Sequence, residues 1–126
     1  MSKVRAIRGA TTSYQNTKDG IVEATLEMLE ALVEANDFQL DDVISAFFTT
    51  TKDLNAEFPA VAARKLGWVD VALMNAHEMF VSDAQERCIR VMVHVHSEKS
   101  PKEIHNVYLR EAINLRKRGF EDEDQQ

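Results

Sequence analysis

Hydrophobic and polar positions alternate most cleanly from Cys88 to His96. Ile89, Val91, Val93 and Val95 fall on one face of a strand there, and Cys88, Arg90, Met92, His94 and His96 on the other. Burying the β-branched row carries Arg90 into a partly enclosed place, where its charge needs a partner from the chain or from a ligand. A shorter pattern, Val4 to Ala10, predicts a strand with Val4, Ala6 and Arg8 on one face; Gly9 follows at once, so Arg8 is expected near the strand end. Val43 to Thr50 is rich in β-branched and aromatic residues with apolar positions on both faces, as in an interior strand, and Trp68 to Asn75 reads as a third strand. The helical period governs Val22, Thr25, Leu26, Leu29, Leu32 and Val33, with Thr17 as N-cap, Asn36 as the stop and Glu23, Glu27, Glu30 and Glu34 on solvated faces. A second, shorter helix is entered at Phe58 and Pro59 and closed by Gly67. Leu40 to Asp42 predicts a turn, and Ser100 and Pro101 a short turn or helix. Asn106 to Arg116 mixes strand and helix signals.

Strands and helices are therefore interleaved, and the expected class is α+β: a mixed sheet packed with one long and one short helix. At 126 residues the chain suits one domain, placed at residues 1–118, with an acidic and mobile tail at 119–126. Hydrophobic content of 44% and charged content of 29% are those of a soluble globular protein. The net charge of -6 disfavours a nucleic-acid partner. No run approaches the length of a membrane span, no apolar segment follows the basic residues before Arg8, and the single cysteine fits a reducing compartment, so cytoplasmic residence is expected.

These patterns narrow the chemistry. The glycines at 9, 20, 67 and 119 are isolated, so no phosphate-binding loop is present, and His94 and His96 lack the further ligands of a zinc signature. Cys88 occupies a strand position where a small apolar residue would serve, and Thr49 to Thr51 have neither glycine framing nor a base. There remain Arg8, Glu78, Arg90, Tyr108 and Arg116, a set of cations with one carboxylate that suits a small dianion. Structural ion pairing would explain Glu78 and Arg90 equally well.

Several strings carry a more specific signal: Ile7-Arg8-Gly9-Ala10-Thr11-Thr12, Phe58-Pro59-Ala60, Leu66-Gly67-Trp68, Glu78-Met79, Arg87-Cys88-Ile89-Arg90-Val91 and His105-Asn106-Val107-Tyr108-Leu109, followed by Leu115-Arg116. In this order the chain resembles the small trimeric chorismate mutases of the pseudo-α/β-barrel class. The resemblance implies a homotrimer with clefts between subunits and the concerted [3,3] rearrangement of chorismate to prephenate in phenylalanine and tyrosine synthesis, with no cofactor and no metal. It implies Arg90 at the ether oxygen and Glu78 at the substrate hydroxyl. Arg8 and Tyr108 would hold a carboxylate or the enolpyruvyl group, and Met74, Asn75, Ala76 and His77 would line the cleft. Phe58, Ala60, Arg64 and Leu73 correspond to wall or entrance positions, and Leu115 and Arg116 to a tail that folds over the ligand.

The chain departs from the family pattern at three places. Val61 stands where a lysine is frequent, and Phe80 to Ala84 lacks the usual glycine, leaving Asp83 as the residue suited to a left-handed turn. Lys117 and Arg118 follow where proline is common. Two other readings of the same cleft are a non-catalytic trimeric module for small carboxylates and a trimeric imine deaminase, the latter disfavoured by the motif order.

Overall fold

A computed structural model describes residues 2–117. The elements run β1 (Lys3–Thr12), α1 (Lys18–Asn36), β2 (Val43–Thr50), α2 (Ala60–Lys65), β3 (Ala72–His77), β4 (Cys88–Ser97) and β5 (Val107–Tyr108). Short 3-10 helices occupy Leu40–Asp42, Pro101–Glu103 and Arg110–Lys117. The strands form one mixed sheet in the order β3-β2-β4-β1-β5; β4 is antiparallel to both β1 and β2, whereas β3 and β5 join their neighbours in parallel. The α+β expectation holds.

The β4 alternation sets the layers. Ile89, Val91, Val93 and Val95 are all buried, each burial worth about 1.5–3 kcal/mol relative to exposure. They face α1, whose Ile21, Ala24, Met28, Leu29 and Leu32 recur at helical spacing and are fully buried. Gly9 permits this close packing. A Cβ there would stand 3.1 Å from Leu32 Cδ1, 3.1 Å from Val91 Cγ1 and 3.3 Å from Met28 Cγ. The two α-helices pack on this side of the sheet, and on the other Val4, Phe47, Met74 and Met92 are 54%, 45%, 58% and 40% exposed in the single chain.

Local signals and structure agree at α1's start, where the Thr17 side chain accepts from Gly20 N, and at Gly67, whose φ of 91° closes α2. α1 does end at Asn36, and the left-handed cap that follows it is Asp37, at φ 51°. The buried Asn36 amide donates to Leu32 O and His105 O and accepts from His105 N, tying the helix to the approach to β5. Other boundaries differ. The third strand begins at Ala72 and runs to His77. Trp68 is buried in the core and its N–H returns to Ala63 O at 3.0 Å, so the chain is still leaving α2 where β-propensity suggested a strand. β1 extends to Thr12, which puts Arg8 in mid-strand opposite Met92 instead of at an end. The segment after Asn106 is both things its pattern suggested, a short strand and then a 3-10 helix. The acidic tail at 119–126 lies outside the described residues.

Candidate active site

The side of the sheet away from the α-helices is built of cross-strand rows. One row runs Ala76, Thr49, Arg90, Ala10, Tyr108 across all five strands. Ala10 carries only a methyl between Arg90 and Tyr108. The next row along the strands holds Met74, Phe47, Met92 and Arg8. On the opposite flank Cys88 pairs with Thr12, and Thr51 bonds Cys88 through both N–H groups, Thr51 N to Cys88 O at 3.0 Å and Cys88 N to Thr51 Oγ1 at 2.9 Å. The polar groups thus gather at one end of the sheet and the apolar groups toward its middle.

Glu78 follows directly on β3, its N–H held by Thr50 O at 2.8 Å. Its Oε1 accepts from Thr49 Oγ1 at 2.6 Å and from Arg90 Nη1 at 3.2 Å. Arg90 therefore has a partner within its own chain, in direct contact. The pair is not enclosed: the side chains are 47% and 26% exposed. A pair this wet contributes about 0.2–1 kcal/mol, too little to explain an arginine inside a strand by stability alone. Thr49, which the sequence offers only as one of three threonines without glycine framing or a base, orients the carboxylate. Only the β2–β4 register reveals this, and no local pattern encodes that register.

A cavity of about 410 Å³ opens over this end of the sheet, lined by Glu78, Arg90, Lys52, Phe80, Cys88 and Leu115 among others. Its volume is that of a small-ligand site. The final 3-10 helix closes one side: Glu111 N donates to Thr12 Oγ1 at 3.4 Å, and Arg110 reaches Thr12 O at 3.0 Å and Glu27 of α1 at 3.2 Å. Leu115 follows from that helix into the lining. The Arg116 side chain lies outside the described residues. Burial pushes the Cys88 thiol up to about 11, against the opposing charge of Arg90, which suits packing and not nucleophilic attack. In the loop before β4 the left-handed residue is Arg87, at φ 47°, not Asp83; the Arg87 N–H is held by both oxygens of Asp53.

The remaining candidates lie elsewhere on the chain. Phe58, Asn75, Ala76 and His77 line a second cavity of about 380 Å³ beside α2. Asn75 Oδ1 accepts from Ala60 N at 3.1 Å, and His77 Nδ1 lies 3.2 Å from Thr50 Oγ1. Phe58 is 64% exposed, Ala60 is buried, and Arg64 is exposed on α2. Leu73 is half-buried against the core. Arg8 is exposed on the open face, its backbone N–H held by Asn106 Oδ1 at 2.8 Å, and Tyr108 is half-buried. Within one chain, then, Arg90, Glu78 and Leu115 share a cavity, whereas Phe58, Asn75, Ala76 and His77 form a separate one. Among the described residues no group of His, Cys, Asp or Glu side chains is placed to hold a metal ion, and no helix is long and apolar enough to cross a membrane.

An α+β chain with its α-helices on one side of a mixed sheet, and an arginine–glutamate pair beside a cavity at the end of the other, defines a small domain with a candidate ligand site. The chain belongs to the chorismate mutase type I family, whose model matches residues 4–118. It is 39% identical over 114 residues to chorismate mutase AroH of Bacillus subtilis (strain 168), covering 90% of both chains. Over the same length it is 40% identical to chorismate mutase AroH of Thermus thermophilus, covering 90% of this chain and 93% of that one. Among solved structures, a chorismate mutase from Clostridium thermocellum superposes with a TM-score of 0.84 at 51% identity, covering 86% of this chain and 96% of that chain.

Proposed function

We propose that this chain is a chorismate mutase, converting chorismate to prephenate by a concerted [3,3] shift, and that the Arg90 cavity is the main half of its active site. The observation that carries the reading is the solvent-reachable Arg90–Glu78 pair at the end of the open sheet face. The reaction breaks a C–O bond and forms a C–C bond within one molecule, so the protein supplies position and charge. The Arg90 guanidinium meets the ether oxygen as negative charge develops there, and its forked donors also reach a substrate carboxylate. Glu78, held by Thr49, accepts from the substrate hydroxyl. Tyr108, beyond Ala10 in the same row as Arg90, and Arg8, one row along β1, take the other carboxylate, and Leu115 covers the ligand with Arg116.

The reading includes a homotrimer in which Phe58, Ala60, Arg64, Leu73 and the Met74 to His77 segment of a neighbouring chain complete each site. Two features support it: the separation of the two cavities within one chain, and the apolar middle of the open face. It also includes cytoplasmic residence within phenylalanine and tyrosine synthesis, where the lone buried thiol suits a reducing compartment. The test is the loss of chorismate absorbance on adding pure protein, with prephenate identified as product. No acceleration over the uncatalysed rate contradicts the proposal.

A further inference from the structure

Lys52 lines the same cavity as Arg90 and Glu78, with its Nζ 3.9 Å from the centroid of the Phe80 ring. Its backbone root is fixed. Thr51, the residue before it, is bonded twice to Cys88 at the start of β4, and Leu54 N returns to Thr51 O at 3.0 Å. The long side chain is thus anchored at one end by the sheet and steadied at the other by an aromatic face. A ring face orients an ammonium but cancels none of its charge.

Two of the carboxylates in the lining have other duties. Asp53 accepts from Arg87 N and from the Thr51 hydroxyl, and Glu78 Oε1 accepts from Thr49 and Arg90. With Asp53, Glu78 and Glu86 all in the lining, the cavity is short of positive charge for a ligand that bears two carboxylates.

We infer that Lys52, steadied on the Phe80 ring, is a substrate-binding residue that pairs with one carboxylate of the dianion at the mouth of the cavity. The inference rests on the reading of this cavity as the chorismate site. Because Lys52 is exposed, its charge acts equally on bound substrate and transition state, so its effect falls on KM and its salt dependence and not on kcat.

The experiment compares wild type with Lys52→Met, Lys52→Arg and Phe80→Leu. Steady-state kinetics on chorismate are measured at low and high salt, and chorismate binding by calorimetry. Lys52→Met is expected to raise KM by about fivefold at low salt, with kcat within twofold and a flattened salt dependence. Lys52→Arg restores KM, and Phe80→Leu gives an intermediate rise. Wild-type KM and salt dependence in Lys52→Met overturn the inference while leaving the mutase reading intact. Chorismate binding that depends on Lys52 without turnover supports the inference and removes the mutase reading. Absence of binding by wild type overturns both.

Discussion

Arg90 and Glu78 touch at 3.2 Å, yet each keeps a solvent-reachable surface, and the carboxylate takes both of its described bonds through Oε1. A substrate hydroxyl can therefore approach Glu78 while Arg90 turns its remaining donors to the ether oxygen. Glu78→Gln keeps an acceptor but discards the charge that faces the electron-poor ring, and is expected to lower kcat by about 10- to 100-fold with the thermal midpoint nearly unchanged. Unchanged kcat would remove Glu78 from the chemistry. Cys88 gives a prediction of opposite character. Its thiol is raised to about 11 by burial, so it stays protonated and inert to alkylation at pH 8 in the folded chain and reacts on unfolding. Because the folded value exceeds the unfolded one, its contribution to stability is full below about pH 8.5 and lost as pH rises toward 11. Rapid labelling of folded protein at pH 8 would refute this. The alternation around Arg90 made the arginine's face legible from sequence. Its pairing with Glu78 was open as one of two readings, and the choice depends on where β3 ends and how β2 pairs with β4.

Among the elements, α1 and β1 meet closely at Gly9, and the contacts that a Cβ would make come from Leu32, Val91 and Met28. Gly9→Ala is expected to destabilise the chain by about 1–3 kcal/mol through overpacking, measured by denaturant unfolding. A neutral or stabilising result would mean that the three side chains yield freely. In the sequence Gly9 reads as a strand-end signal, because a glycine needed for close packing and one needed for a bend look alike until the helix above is placed. The third strand shows the converse limit. Trp68, Val69 and Val71 carry strand-forming side chains, but Trp68 is drawn into the core by the closing turn of α2, while Ala76 and His77, poor in strand signal, pair with Thr49 and Thr50. Thr17, Gly67 and the Val43–Thr50 strand were legible because local chemistry decides them.

For the molecule as a whole, the open face carries apolar Phe47, Met74 and Met92 beside a charged end, and of the residues the family resemblance assigns to one cleft, Glu78, Arg90 and Leu115 line one cavity and Phe58, Asn75, Ala76 and His77 another. Light scattering is expected to give about three times the 14.3 kDa chain mass, and activity per chain is expected to fall on dilution into monomers. A fully active monomer would refute the shared site. The whole account turns on a guanidinium fixed in position on β4, and kcat/KM of Arg90→Lys on chorismate tests that most directly. A compact ammonium cannot span ether oxygen and carboxylate together, so kcat/KM is expected to fall by at least about 100-fold with the circular dichroism spectrum and assembly mass unchanged. Near-wild-type turnover in this folded variant would contradict the account.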